Sequence, residues 1–269
     1  MARPPERPKA GQSRPSPVGN QQSGRAAFAG EAPRRPVQAL VSVRTVEEAL
    51  LAAQAGVPLI DLKEPRAGAL GALPPEVLRD IVAALRGAGC QAEISATVGD
   101  LPADDPAALL RQVAATADCG VDVVKVGLWP LGLGPACELL AELSRFMRDA
   151  KVGIVPVLLA DPLFSEALLG AACEEPFTAI MLDTRDKPAG SLLERLPPLD
   201  LRRFVARVRG AGRRVGLAGA LRLSDVPRLK ALRPDFAGFR TAVCEGQRGG
   251  PLSVQAVEQL LMALRDPAA

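Results

Sequence analysis

Short apolar segments alternate with segments of helical periodicity along most of the chain, and this alternation constrains the fold more than any other feature. Strands that are apolar on both faces and are joined by helices form parallel sheets covered by helices. Eight such units in about 230 residues fit a closed (β/α)8 barrel, the TIM barrel of the α/β class. An open doubly wound sheet is the alternative, although no GxGxxG motif follows the first strand. The predicted strands are Val37–Val43, Val57–Lys63, Gln91–Thr97, Val121–Gly127, Gly153–Leu159, Thr178–Leu182, Val215–Ala218 and Phe236–Phe239.

The first 36 residues differ from the rest in composition. They contain seven prolines and are rich in Arg, Gly, Ser and Gln, without apolar periodicity. This composition predicts a disordered tail over residues 1–36, followed by the barrel domain over residues 37–269. The tail holds seven basic and two acidic residues, so the net charge of +3 for the whole chain leaves the barrel at −2. A barrel without a basic surface predicts no nucleic-acid partner.

Three features bear on the compartment. No apolar run approaches the roughly 18 residues of a membrane span, and no apolar segment follows the first basic residues as it would in a secretory signal. The five cysteines are scattered and form no CxxC pair, which is typical of thiols used as small apolar side chains in a reducing compartment. We therefore expect a cytoplasmic protein with no membrane partner. A homo-oligomer is expected for such a barrel, with its order left open.

Histidine and tyrosine are both absent from the chain. Their absence excludes Ser-His-Asp and Cys-His catalysis and zinc sites with histidine ligands. Proton transfer must therefore depend on Lys, Asp, Glu, Cys, water or a phosphate of the substrate. Lysine is scarce, since only six of the 33 basic residues are lysine. Because an amine can lose its proton and attack a carbonyl whereas a guanidinium cannot, these few lysines are candidates for catalysis.

Charged residues stand where the predicted strands end. Asp61 and Lys63 close an apolar strand and share one of its faces, and Pro65, Gly68 and Gly71 then interrupt regular structure. Active sites of this barrel lie at the carboxyl ends of the strands. At those ends we expect Asp61, Lys63, Ser95, Thr97, Asp100, Lys125, Asp183, Lys187, Gly219 and Arg240. Three of the five lysines of the barrel domain thus converge on one opening.

The converging lysines predict imine chemistry. An ordinary lysine has a pKa near 10.4, and burial beside a second ammonium group lowers that pKa and frees the amine. Lys63 and Lys125 fit such a pair, with Asp61 and Asp183 orienting the amines and assisting proton transfer. Three alternatives stay open: a salt bridge from Lys63 to a neighbouring carboxylate, a structural role for Lys125, and a solvated Lys187. We expect no metal site, because the acidic residues lack ligand spacing.

Two segments of small residues, Leu217–Ala220 and Gly238–Ala242, follow the last two predicted strands. Exposed backbone N–H groups attract anions, and the loops after strands seven and eight are the usual phosphate position of this barrel. We therefore predict substrate-phosphate binding by Gly219, Ala220, Arg240 and Thr241. Arg240 would supply a fork of donors, and a tight turn that requires glycine is the alternative. Arg248 and the two glycines after it predict a flexible loop that closes over the site.

At these positions the chain resembles a known family, the (5-formylfuran-3-yl)methyl phosphate synthases of methanofuran and methylofuran biosynthesis. The resemblance covers residues 37–264 and rests on six segments that occur in the same order with similar spacing. They are Ile60–Pro65 with Gly68–Gly71, Ser95–Asp100, Val124–Leu128, Met181–Thr184, Leu217–Gly219 and Gly238–Arg240.

The resemblance implies a lyase that condenses two molecules of glyceraldehyde 3-phosphate, a phosphosugar, and releases one phosphate and two waters without a cofactor. It also implies that Lys63 forms the Schiff base, that Lys125 accepts a proton, and that Asp61, Asp183 and Lys187 support them. Two other functions remain possible from the residues. One is a class I, Schiff-base aldolase on another phosphosugar, and the other is a non-catalytic barrel that binds a phosphorylated metabolite or a protein partner.

Overall fold

The structure is a computed structural model that describes residues 1–2, 36–101, 105–129, 132–161 and 164–265. The predicted disordered tail, residues 1–36, lies outside the described residues except for Met1, Ala2 and Pro36. The strands within the described ranges are β1 (Gln38–Val43), β2 (Leu59–Leu62), β3 (Glu93–Thr97), β4 (Val123–Leu128), β5 (Gly153–Leu159), β6 (Ala179–Asp183), β7 (Arg214–Leu217) and β8 (Phe236–Phe239). They are parallel and pair in chain order, and β8 pairs with β1 to close the barrel.

Helices follow the strands and cover the outside of the barrel. Within the described residues they are α1 (Val46–Gln54), α2 (Pro75–Gly87), α3 (Pro106–Ala117), α4 (Leu133–Ala150), α5 (Glu166–Glu174), α6 (Leu192–Arg195), α7 (Pro198–Gly210), α8 (Val226–Leu232) and α9 (Val254–Arg265). The predicted (β/α)8 barrel is confirmed by this closed parallel sheet and its helical layer.

Local residue chemistry explains where the helices begin. The side chain of Thr45 accepts a hydrogen bond from the N–H of Glu48 at 3.3 Å, and Asp105 accepts from Ala108 at 2.8 Å, which satisfies otherwise unpaired N–H groups of the first turn. Proline in the first turn of α2, α3 and α7 costs no hydrogen bond, because those N–H groups have no intrahelical acceptor. The four-residue helix α6 was not predicted from the sequence.

The core has two layers with the period of two that strands impose. Side chains such as Ile60 and Leu62 point outward and pack against the helices. Side chains such as Leu59, Met181 and Phe236 fill the barrel interior. Gly216 leaves the space for Phe236, since a Cβ atom there would lie 2.4 Å from the aromatic ring. The interior is therefore packed with apolar side chains, and it closes the barrel below the carboxyl ends of the strands.

Polar side chains replace the apolar ones toward the carboxyl ends of the strands. Register places Ser42 of β1 beside Asp61 of β2, and Asp61 beside Ser95 of β3. Farther along, Thr97 of β3 pairs in register with Lys125 of β4. Residues in register on neighbouring parallel strands project to the same face, so the barrel itself brings these groups together.

Candidate active site

A cavity opens at the carboxyl end of the barrel, and the predicted site residues surround it. Asp61, Lys63, Lys125, Asp183, Lys187, Gly219, Ala220, Arg240 and Thr241 all line it. The wall also contains Arg248 and, from the barrel interior, apolar residues such as Leu40 and Met181. Of the described side chains in this wall, five are basic and two are acidic, which suits an anionic ligand.

Asp61 is the centre of a buried polar network. Its two oxygens accept from Ser95 Oγ at 2.7 Å, from Ser42 Oγ at 3.1 Å and from Lys125 Nζ at 2.8 Å. Burial alone would raise the pKa of Asp61, but the ammonium groups of Lys125 and Lys63 and these hydrogen bonds outweigh burial and lower its pKa. Asp61 is therefore a carboxylate at neutral pH and fixes the amine of Lys125.

Asp183 and Lys187 form a second buried pair. Oδ1 of Asp183 accepts hydrogen bonds from the N–H of Thr184 at 2.7 Å and from Lys187 Nζ. The lysine side chain is only 8% exposed, so the solvated alternative for Lys187 is wrong. Burial raises the pKa of Asp183, but Lys187 and Lys63 together lower it below its usual value. Burial lowers the pKa of Lys187 despite the neighbouring carboxylate.

Lys63 differs from the other two lysines of the cavity. Among the described residues, no carboxylate oxygen lies within 4.0 Å of its amine, so the salt-bridge alternative for Lys63 is wrong. Its side chain is buried all the same. Burial, with help from Lys187 and Lys125 and against the opposing effect of Asp183 and Asp61, lowers the pKa of Lys63 to about 8. The cavity thus contains two amines held by carboxylates and one that is available to attack an electrophile.

The loop after β2 is fixed by a residue of the loop after β3. The carboxylate of Asp100 accepts from the N–H groups of Ala69 at 2.8 Å and Leu70 at 2.9 Å. Thr97 Oγ donates to a carbonyl of the same loop at 2.8 Å. Gly68 has φ of +100°, and a Cβ atom there would lie 1.9 Å from Asp100 Oδ2. The glycines and polar residues that follow β2 and β3 therefore fix the segment that comes directly after Lys63.

The loop after β7 presents backbone to the cavity. Gly219 has φ of +118°, and a Cβ atom there would lie 2.7 Å from Thr184 Oγ. Ala220 has φ of +45°, which is unusual for a residue other than glycine. None of the hydrogen bonds formed within the described ranges uses the N–H groups of Gly219 or Ala220. These two groups can therefore donate to an anion in the cavity.

All five N–H donors of the Arg240 guanidinium are occupied by contacts within the described part of the chain. Nη1 donates to the carbonyl of Ser42 at 3.0 Å and to Glu48 at 2.6 Å. Nη2 donates to Glu48 at 2.9 Å and to the carbonyl of Gly250 at 2.7 Å, and Nε donates to the carbonyl of Arg248 at 2.8 Å. A guanidinium has five N–H donors, so this geometry leaves none for a phosphate and argues against the predicted contact.

A second cavity lies at the opposite end of the barrel and is a weaker candidate. It opens near the amino ends of β1, β2, β3 and β7. Its two charged lining residues, Glu93 and Arg214, pair with each other at 3.1 Å. Its described lining residues include no lysine and no unpaired charge. It is therefore a weaker candidate for a catalytic site than the cavity at the carboxyl end.

The fold and the buried amines at the carboxyl ends of its strands define the class of the protein as a (β/α)8-barrel enzyme. The comparisons with known proteins then place the chain more closely. A family described as 4-HFC-P synthase matches residues 39–261, and the chain belongs to this family. The resemblance to the (5-formylfuran-3-yl)methyl phosphate synthases is thereby confirmed.

Curated relatives include proteins named (5-formylfuran-3-yl)methyl phosphate synthase. A (5-formylfuran-3-yl)methyl phosphate synthase of Methanosarcina mazei is 32% identical over 230 residues, which is 82% of this chain and 97% of the relative. Another, of Archaeoglobus fulgidus, is 33% identical over 240 residues and covers 85% of this chain and 99% of the relative. A relative from Methylorubrum extorquens is 39% identical over 227 residues, covering 84% and 91%.

Solved structures support the fold. Phosphoribosyl anthranilate isomerase from Thermus thermophilus superposes with a TM-score of 0.59 at 22% identity, covering 85% of this chain and 98% of that one. 3-Hexulose-6-phosphate synthase has a TM-score of 0.53 at 18% identity and covers 86% and 100%.

Two further observations concern the part of the chain that the structure describes. No helix there has the length and apolar character to cross a lipid bilayer. No group of three or more acidic or thiol side chains there is arranged to hold a metal ion.

Proposed function

We propose that this chain condenses two molecules of glyceraldehyde 3-phosphate to (5-formylfuran-3-yl)methyl phosphate through a Schiff base on Lys63. The balance gives one product molecule, one phosphate and two waters from two triose phosphates. The observation that carries the proposal is the buried Lys63 amine, which has no carboxylate in contact and a pKa lowered to about 8. The names of the chain's relatives supply the product, and the substrate is the one that the family resemblance implies.

In the proposed reaction, the neutral amine of Lys63 attacks the aldehyde carbon and water leaves, which forms the imine. The imine acidifies the neighbouring carbon, and a base removes a proton there to give an enamine. We propose that the Lys125–Asp61 pair is this base. Its contact of 2.8 Å allows a proton to move between the amine and the carboxylate. The enamine carbon then attacks the aldehyde of the second triose phosphate, and a carbon–carbon bond forms.

Asp183 and Lys187 would assist the later steps. Their buried pair lies at the same cavity, where it can protonate and deprotonate oxygen atoms of the new six-carbon intermediate. Elimination of phosphate, ring closure, loss of two waters and hydrolysis of the carbon–nitrogen bond to Lys63 then give the aromatic furan and free the amine, and no step requires a cofactor. The retained phosphate would bind to the N–H groups of Gly219 and Ala220, with Thr241 on the neighbouring loop.

The proposal is tested by incubating the full chain with glyceraldehyde 3-phosphate. We expect furan ring protons in the NMR spectrum and one inorganic phosphate for each furan formed. Borohydride added during turnover should leave a reduced adduct on Lys63 that mass spectrometry locates. A class I aldolase would give a sugar phosphate without furan protons, and a non-catalytic barrel would give neither product nor adduct; either outcome contradicts the proposal.

Imine formation should depend on pH as the pKa of Lys63 dictates. With a pKa of about 8, the neutral fraction and the adduct rate should rise about tenfold per unit below pH 8 and level off above it. An ordinary lysine would rise without levelling up to pH 9.5. The rate is measured by quenching timed samples into borohydride between pH 6.5 and 9.5.

The same shift of the Lys63 pKa affects stability. Between pH 8 and 10.5, Lys63 is protonated in the unfolded chain and deprotonated in the folded chain. The contribution of this group to the free energy of unfolding therefore increases as the pH rises.

The remaining sequence predictions belong to this proposal. We place the activity in the domain from residue 37 to residue 269, in the cytoplasm, and in a homo-oligomer. Deletion of residues 1–36 should leave furan formation intact, and analytical ultracentrifugation gives the oligomeric state.

A further inference from the structure

Arg248 lies in the loop between β8 and α9 and lines the same cavity as the three lysines. Within the described part of the chain, its side chain donates one long hydrogen bond, of 3.4 Å, from Nη2 to the carbonyl of Gly68. No described carboxylate lies within 4.0 Å of its guanidinium, although the side chain is partly buried. Burial lowers the pKa of Arg248 from its ordinary value, against the attraction of Asp183. Its fork of donors is therefore available, unlike that of Arg240.

The other positive charges of the cavity are already matched. Lys125 pairs with Asp61, Lys187 pairs with Asp183, and Arg240 pairs with Glu48. Lys63 remains, and the proposed function uses it as the nucleophile. Of the five basic side chains that line the cavity, Arg248 is thus the one left to balance an anion.

The loop that carries Arg248 is held by its backbone and not by this side chain. Nε of Arg240 binds the carbonyl of Arg248 at 2.8 Å, and Nη2 of Arg240 binds the carbonyl of Gly250 at 2.7 Å. The loop also closes on itself through the contact between Gly250 N–H and the Gln247 carbonyl at 2.8 Å. A backbone that is already anchored and a guanidinium without a strong partner are expected of a binding residue. The loop then loses little conformational entropy when the ligand binds.

We propose that Arg248, and not Arg240, is the guanidinium that binds a phosphate group of the substrate, while Arg240 positions the Arg248 loop. The identity of the substrate rests on the proposed function above, but recognition of a phosphate dianion does not. Guanidinium and phosphate form paired, charge-assisted hydrogen bonds, and the nearby N–H groups of Gly219 and Ala220 complete a set of donors around the same cavity.

The test compares Arg248→Ala, Arg248→Lys and the control Arg66→Ala with the unaltered full chain. Arg66 is exposed beside the same loop, where its Nη2 contacts the Gly249 carbonyl at 3.4 Å. Its replacement therefore removes a positive charge next to the loop but changes no residue that lines the cavity. Calorimetry measures the Kd for inorganic phosphate, and steady-state assays measure KM and kcat for glyceraldehyde 3-phosphate.

We expect Arg248→Ala to raise the phosphate Kd and the KM about tenfold or more, with kcat changed less than about threefold. Arg248→Lys keeps the charge and loses the fork, so its loss should be intermediate. The control should change each value less than twofold. Borohydride trapping of glyceraldehyde, which lacks a phosphate, should be unaffected in all variants.

An unchanged phosphate Kd and KM in a folded Arg248→Ala chain would overturn the inference. That failure differs from failure of the proposed function, which would appear as no furan and no adduct in the unaltered chain. If the unaltered chain forms no furan while Arg248→Ala still weakens phosphate binding, the inference stands and the proposed reaction falls.

Discussion

Replacing Lys63 by arginine should abolish furan formation, with a loss of at least about 10⁴-fold in kcat. Arginine keeps the positive charge and much of the length of lysine, but its guanidinium keeps its proton at any working pH and cannot attack an aldehyde. The borohydride adduct should vanish together with the product. The measurement is furan absorbance under saturating glyceraldehyde 3-phosphate, with mass spectrometry of the trapped chain.

The matched control is Lys151→Arg. Lys151 is exposed at the end of α4, away from the cavity lining, so the same chemical change there should leave the rate within about twofold. Full furan formation by the Lys63→Arg chain would contradict a Schiff base on Lys63. An adduct trapped on another lysine of the cavity would show that Lys63 has been assigned the wrong role.

Breaking the buried pair of Glu48 and Arg240 should destabilise the fold more than breaking any exposed pair. The two side chains meet through contacts of 2.6 and 2.9 Å, and both are buried. Glu48→Gln leaves the guanidinium without a counter-charge, which typically costs about 3–5 kcal/mol for a buried pair. Denaturant unfolding followed by fluorescence of Trp129, the one tryptophan of the chain, measures the change.

The control for this substitution is Glu93→Gln. Glu93 pairs with Arg214 at 3.1 Å with both side chains more than a third exposed, so its loss should cost less than about 1 kcal/mol. In the double variant Glu48→Gln with Arg240→Gln, the unpaired charge is gone and part of the stability should return. Equal losses for Glu48→Gln and Glu93→Gln would contradict the role given to Arg240.

The barrel and the position of the cavity could be predicted because both depend on local patterns. Apolar periodicity marks strands and helices, and the carboxyl ends of parallel strands always share one end of the barrel. The nine predicted site residues therefore reach one cavity. Helix α6 was missed because four residues carry too short a pattern for periodicity to register.

The sequence alone could not predict which charged side chains pair across the barrel. Arg240 meets Glu48 from 192 positions away because β8 closes against β1, and no local pattern records that contact. For the same reason, the sequence left open whether Lys63 or Lys125 pairs with Asp61, and the structure places the pair on Lys125. Arg248 gave only a weak signal, since glycines beside an arginine suggest a mobile loop and not which way the side chain turns.

Closure of the sheet between its first and last strands has a consequence for biosynthesis. Glu48 leaves the ribosome early and Arg240 nearly last, so the cavity wall is complete only when almost the whole chain has been made. Until then we expect Lys63 to be solvated and to have the ordinary pKa of lysine, because its lowered pKa comes from burial. We therefore expect the amine to acquire its lowered pKa, and with it its reactivity toward aldehydes at neutral pH, only in the finished fold.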